Sequence, residues 1–324
     1  MDGQLTTASV RNAPFVLVAV SVLFLVPIGF MVALLLRESR KDISFVDKEI
    51  AGLTYEQAVW PVIEEVLETN DGRLGASITQ WDAIRQAGEI NDSGMGTLDA
   101  RNALGQALGG GDDSSQSRAA IMRAAATLIT KINDGSNLTL DPDLESFYLM
   151  DSATVKLPEL AVQTAVLASL DIKQPTSAAD ASVETRMNKE RLAERFRASL
   201  TAFDRCVDSV SRATGVLHPA IALARNRIDA IASSLSSAPG DRPTSGGARP
   251  TIADLARAET QYWSIATLQL NHVLTSRSDR LVRERWTNLF AVFMLCVGIF
   301  SIVGYLAFSA NSGIDRILRV FRRS

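Results

Sequence analysis

The sequence predicts an all-α protein, an elongated helical bundle of the four-helix type or a pair of stacked modules, carried between two membrane-spanning helices. Three observations predict it. Two uncharged apolar runs lie near the two ends of the chain, apolar residues between them recur at helical spacing, and strand-like alternation is almost missing from that interval.

The first run, residues 14–36, reads PFVLVAVSVLFLVPIGFMVALLL and carries no charge. At 1.5 Å per residue it is long enough for a hydrocarbon core that takes about 20 helical residues. A cleaved signal peptide has a shorter apolar region ending in small residues. Here the run passes straight into Arg37-Glu38-Ser39-Arg40-Lys41, which fits an uncleaved anchor. The second run, within residues 287–310, is LFAVFMLCVGIFSIVGYLAFSA from Leu289 onward, with Trp286 and Tyr305 as interfacial aromatics. The tail, residues 311–324, holds Arg316, Arg319, Arg322 and Arg323 against Asp315, so both it and residues 1–13 are expected in the cytoplasm under the positive-inside rule. Residues 37–286 then form the periplasmic domain of a multi-pass protein of the bacterial inner membrane. The basic residues flanking that domain, Arg37, Arg40 and Lys41 and again Arg277, Arg280, Arg283 and Arg285, pull against this orientation, but long loops translocate largely regardless of charge.

Between the spans stand 28 basic and 34 acidic residues, a net charge of −6 that offers no footprint for nucleic acid. Cys296 lies in the second run, so Cys206 and Cys296 do not pair, and neither a disulfide framework nor a metal cluster is expected.

Within the domain, Phe45, Ile50, Leu53, Val59, Val62, Val66 and Leu67 continue the first span as an apolar stripe. After a break at Asn70-Asp71-Gly72 the stripe is extended by Ile78, Trp81 and Ile84. The polar, glycine-rich stretches 91–96 and 109–115 read as loop. Ile121, Ala125, Leu128 and Ile132 mark a helix over about 116–133. Asp141 as N-cap, Pro142 in the first turn and acidic Asp143 and Glu145 at the positive end of the dipole start another, running to about Asp171. Phe196, Leu200, Phe203, Val207 and Val210 alternate steps of four and three, the seam of helix-on-helix packing, in a helix over 183–210. A helix over 217–235 and a Pro/Gly/Ser-rich linker over 236–250 follow. The last helix of the domain, from Thr251 to Trp286, feeds into the second span without a Pro or Gly, so a small axial or rotational shift can pass along it.

Residues 135–160 read GSNLTLDPDLESFYLMDSATVKLPEL. Ser136-Asn137-Leu138, Asp141-Pro142-Asp143-Leu144, Tyr148-Leu149-Met150-Asp151 and Leu157-Pro158 resemble the sensor region of bacterial transmembrane receptors of the methyl-accepting chemotaxis type, and of the sensor kinases and diguanylate cyclases that share it. The resemblance implies a homodimeric, ligand-binding helical sensor followed by a linker and an output domain. This chain stops at Arg322-Arg323-Ser324, so output is expected from a separate membrane signalling protein. The same residues also have a folding explanation. The DPDLE segment starts a helix, the FYLM segment is its first apolar turns, and Pro158 kinks it.

Candidates for contact with an unknown small-molecule ligand are Asn137, Asp141 and Tyr148 in the motif and, for an anion such as a carboxylate, Arg186, Arg191 and Arg195. The last three belong to a cluster with Lys189 and Arg197 that also reads as a solvated helix face. His218 and His272 have no partner at metal-binding spacing. Gly109-Gly110-Gly111-Asp112-Asp113 lacks the Gly-Lys-Ser/Thr of a nucleotide loop, and Asn133-Asp134-Gly135-Ser136-Asn137 misses the calcium-loop spacing. No nucleophile and base are paired, so neither catalysis nor a cofactor is expected. The function expected is a receptor-like sensory module in the lipid bilayer. The alternative is a membrane-anchored scaffolding protein or an inert remnant of a truncated chemoreceptor.

Overall fold

Every regular element in the computed structural model is helical, and the residues it describes are 13–68, 78–110, 115–140, 143–171, 183–215, 217–236 and 250–321. The break near Asn70, the start at Asp141 and Pro142, most of the 236–250 linker and both chain ends lie outside them. Helix α1 is Ala13–Glu68. It is followed by α2 (Ile78–Met95), α3 (Leu98–Gly109), α4 (Ser115–Ser136), a single 3-10 turn (Leu138–Leu140), and α5 (Leu144–Met150). A π-helical segment, Asp151–Lys156, joins α5 to α6 (Leu157–Asp171). Then come α7 (Val183–Thr214), α8 (Pro219–Ser236) and α9 (Ile252–Phe321).

Two compact units divide the chain: residues 46–276 form one, and the parts of α1 and α9 outside that range form the other. In the larger unit α1 and α4 run antiparallel. Arg118 Nη2 donates to the Val66 carbonyl at 2.9 Å, whereas about five turns further along α4, Ser136 meets Gly52. A Cβ at Gly52 would collide with the Ser136 side chain, so glycine there sets how closely the helices approach. Gly135 rests in the same manner against the backbone of Met95. Helix α2 pairs antiparallel with α3, with Trp81 on Gly105 and Arg101 on Gly88.

Residues 91–95 belong to α2 and are not loop, and residues 98–109 form a helix of their own. Composition misleads there because one buried network replaces the apolar contacts that sequence patterns reveal. Asp92 accepts from Tyr55 Oη at 3.2 Å, Thr97 Oγ1 at 2.6 Å and Arg101 Nε at 2.7 Å, tying α1, α2 and α3 together. Gly96, at φ +69°, makes the left-handed turn between α2 and α3.

The later helices follow their sequence signals closely. Helix α7 buries Phe196, Phe203, Val207 and Val210. His218 caps α8, its Nδ1 accepting from the Ala220 N–H at 3.3 Å. Helix α9 starts with a reciprocal cap in which the Asp254 carboxylate accepts from the Thr251 N–H at 2.8 Å and Thr251 Oγ1 accepts from the Asp254 N–H at 3.3 Å. From there α9 continues unbroken to Phe321.

In the smaller unit the apolar side chains face outward. Trp286, Phe290, Ile302 and Tyr305 are 67%, 64%, 62% and 71% exposed. Among the described residues, one helix, α9, is long and apolar enough to cross a membrane. On α1, Leu23, Val26, Phe30, Met31 and Leu34 are exposed as well.

Candidate functional site: the interior between the first and last helices

The motif at residues 135–160 folds into the junction of three helices. Asn137 ends α4 in the left-handed conformation, φ +68°, which asparagine tolerates better than most residues, and its carbonyl accepts from the Leu140 N–H at 2.8 Å. Asp143, and not the expected Asp141, is the N-cap of α5: its backbone is extended and its side chain accepts from the Glu145 N–H, so the helix starts two residues later than the sequence predicts.

Pro158 accounts for the irregularity that follows. It has no N–H to return to the Thr154 carbonyl four residues earlier. That oxygen is buried and must find a donor elsewhere. Asn133 Nδ2 on α4 donates to it at 3.1 Å, while Thr154 Oγ1 donates to Asn133 Oδ1 at 3.0 Å. The helix thus departs into π geometry over Asp151–Lys156 rather than merely kinking at the proline.

Side chains of the π segment reach two further helices. Tyr262 Oη on α9 donates to Ser152 Oγ at 2.9 Å, and Ser152 Oγ donates onward to the Leu149 carbonyl at 2.8 Å. Cys206 Sγ on α7 lies 3.2 Å from Asp151 Oδ2 and 3.3 Å from the Tyr148 carbonyl. Burial first, and then the Asp151 charge, push the Cys206 thiol far up, so it stays a protonated donor and an unreactive thiol.

Beside this junction, α1 and α9 meet through aromatic rings. Trp60 and Trp263 stack with centroids 4.7 Å apart and planes 3° from parallel, and Phe203 packs edge-on against Tyr262 at 4.7 Å. On α1 the seam Glu49, Leu53, Glu56, Trp60, Ile63, Leu67 alternates steps of four and three and is buried throughout. Carboxyl groups therefore occupy two inner positions of a packing seam. One helical turn before each stacked tryptophan stands a fully buried glutamate, Glu56 on α1 and Glu259 on α9.

The two carboxyls are held differently. Glu259 Oε1 accepts from Thr164 Oγ1 of α6 at 2.7 Å, and its second oxygen has no partner among the described residues. Burial pushes the Glu259 carboxyl up to about 8, the Thr164 hydrogen bond opposing the shift. For Glu56 neither oxygen has a hydrogen-bond partner among the described residues, and burial alone holds it well above the usual carboxylate range. The indole Nε1 atoms of Trp60 and Trp263 are likewise buried without acceptors among the described residues. Unpaired buried polar groups cost on the order of 1–3 kcal/mol each, so this interior is less settled than an apolar core of the same volume. Chemically it stores protons and indole donors where a charge or a polar guest would alter the packing of α1 against α9.

The candidate ligand residues read from the sequence are placed as follows. Asn137 is the half-buried cap of α4, and Tyr148 is half-buried on α5 with its ring edge-on to Phe147 at 5.3 Å. Arg191 and Arg195 lie one turn apart on the exposed surface of α7, separated from the motif residues in role and burial. Asp141 and the side chain of Arg186 lie outside the described residues. Among the described residues no group of three His, Cys, Asp or Glu is disposed to hold a metal ion. Sequence reading passed over Glu56, Glu259, the tryptophan pair and the π segment. The signal for the first was present, because extending the four-three spacing through Leu53, Trp60 and Leu67 lands on Glu49 and Glu56.

No known family model matches the chain, and no curated protein or solved structure is similar to it.

Proposed function

We propose that this protein is a receptor-like sensory module that detects a small molecule or a partner protein through the helical unit of residues 46–276 and passes a small displacement of α9 into the membrane. The observation that carries this reading is the continuity of α9. It begins in a buried cluster of Leu255, Glu259, Tyr262 and Trp263 and runs, in one helix, through an outward-facing apolar segment. A helix held at one end by several neighbours is suited to report a change among them as a shift along its axis.

The exposed apolar side chains of α1 support a second span, residues 14–36, and with it a multi-pass arrangement with the helical unit in the periplasm of a bacterial inner membrane. The resemblance of residues 135–160 to chemotaxis-type sensors supports a homodimer that acts through a separate output protein. In this reading the motif's part is mechanical, since Ser152 in its π segment accepts the hydrogen bond of Tyr262 on α9.

The test is a thermal-shift screen of the full chain in nanodiscs against amino acids, organic acids and other small metabolites. A ligand of the folded state raises the melting temperature in proportion to the logarithm of its concentration. A dose-dependent rise is expected, with Tyr262→Phe retaining the rise but losing the ligand-dependent change in cross-linking between copies at the membrane end of α9. Cross-linking that stays constant under every ligand that binds would contradict transmission and favour a scaffolding role.

A further inference from the structure

The smaller unit carries a basic band where its apolar surface ends. On α1 the apolar side chains through Leu34 give way to Arg37, Arg40 and Lys41, all exposed. An open groove of about 590 Å³ runs along this face, lined by Ala33 and Leu36 at one end and by Arg37, Arg40, Lys41 and Ser44 at the other. On α9 the order is mirrored, with Arg277, Arg280, Arg283 and Arg285 directly before Trp286 and the exposed apolar segment. Residues 37–42 and 277–285 together hold seven basic and four acidic side chains. Of the three α1 cations, Lys41 is paired to Glu38 at 3.1 Å in an exposed contact that water screens. Arg285 Nε is buried and donates to no acceptor among the described residues.

A groove on α1 that is apolar at one end and cationic at the other, and on α9 a donor that lacks an acceptor among the described residues, match a phosphate joined to an acyl chain. We propose that this band is a binding site for the headgroups of anionic phospholipids, with Arg37, Arg40 and Lys41 receiving one phosphate and Arg285 Nε donating to a phosphate oxygen. Basic side chains at the edge of a span each favour an anionic bilayer surface, and arginine binds phosphate through fixed paired donors. The site rests on the reading that these helices enter a membrane. It adds to that reading that the bilayer's anionic lipids, rather than any bilayer, set the height and rotation of α1 and α9.

The experiment floats the full chain with vesicles of phosphatidylcholine alone or mixed with phosphatidylglycerol, then counts lipids retained after gentle detergent extraction by native mass spectrometry. Phosphatidylglycerol should be retained over phosphatidylcholine. The triple variant Arg37→Gln, Arg40→Gln, Lys41→Gln should lose about fivefold in that preference per cation removed. Arg285→Gln should cost about the same, Arg285→Lys should restore only part of it, and inorganic phosphate in excess should not displace the lipid. Flotation with both vesicle types but no preference, or a preference unchanged in the triple variant, overturns the headgroup site and leaves the membrane reading standing. Failure to float with either vesicle overturns both.

Discussion

Two buried polar sites flank the first helix of the larger unit, and they are built on opposite terms. At the α2–α3 turn the Asp92 carboxylate receives three donors, from Tyr55, Thr97 and Arg101, and its ion pair with Arg101 is 2.7 Å long with both side chains nearly enclosed. Between α1 and α9, among the described residues, Glu56 receives none and Glu259 receives one. A fully satisfied network fixes one geometry, whereas an unsatisfied one leaves neighbouring arrangements close in energy. The first site holds the domain together. The second is where a proton, or a bound group that supplies the missing partners, changes how the last helix sits.

Acidity separates the two most strongly. A carboxyl whose folded value lies near 8 binds its proton more tightly folded than unfolded, so its contribution is fully present below about 4.5 and is lost as pH rises through about 8. Glu259 alone should therefore lower stability against urea across that window by on the order of 5 kcal/mol, and Glu259→Gln should remove that share of the slope while the share of buried Glu56 remains. A flat profile in the parent protein would erase the distinction. Next in size, Asp92→Ala should cost about 3–5 kcal/mol in chemical denaturation by leaving Arg101 buried and uncompensated. Asn133→Ala should cost about 1–3 kcal/mol in chemical denaturation, because it orphans the Thr154 carbonyl that Pro158 cannot serve. The smallest effect is expected of Thr164→Val, about 0.5–1.5 kcal/mol, accompanied by a shift of the pH midpoint further upward as Glu259 loses its one donor.

Much of the fold was legible from period and punctuation. Helices α4, α7, α8 and the start of α9 announce themselves through apolar spacing and capping residues, and their observed limits lie within a few positions of those expected. The α2–α3 hairpin was not legible. Its interior is an ionic network around Asp92, and a polar stretch with glycines looks like loop when hydrogen bonds replace apolar contacts. The π segment was half legible, since Pro158 forecasts a disturbance but not that Asn133, 25 residues earlier, would supply the missing donor. The buried glutamates escaped because an apolar stripe is traced through hydrophobic residues, and a carboxyl on the seam reads as a gap in it.

The central claim, that the interior between α1 and α9 responds while the rest of the domain stays fixed, is tested most directly by tryptophan fluorescence. With Trp81→Phe and Trp286→Phe in place, the remaining emission comes from the stacked pair Trp60 and Trp263. Raising pH from 6 to 9 should change its wavelength and intensity with a midpoint at about 8, and Glu259→Gln should abolish the change while helicity by circular dichroism stays constant. Emission that is the same at both ends of the range, or that changes only as helicity is lost, would contradict the account.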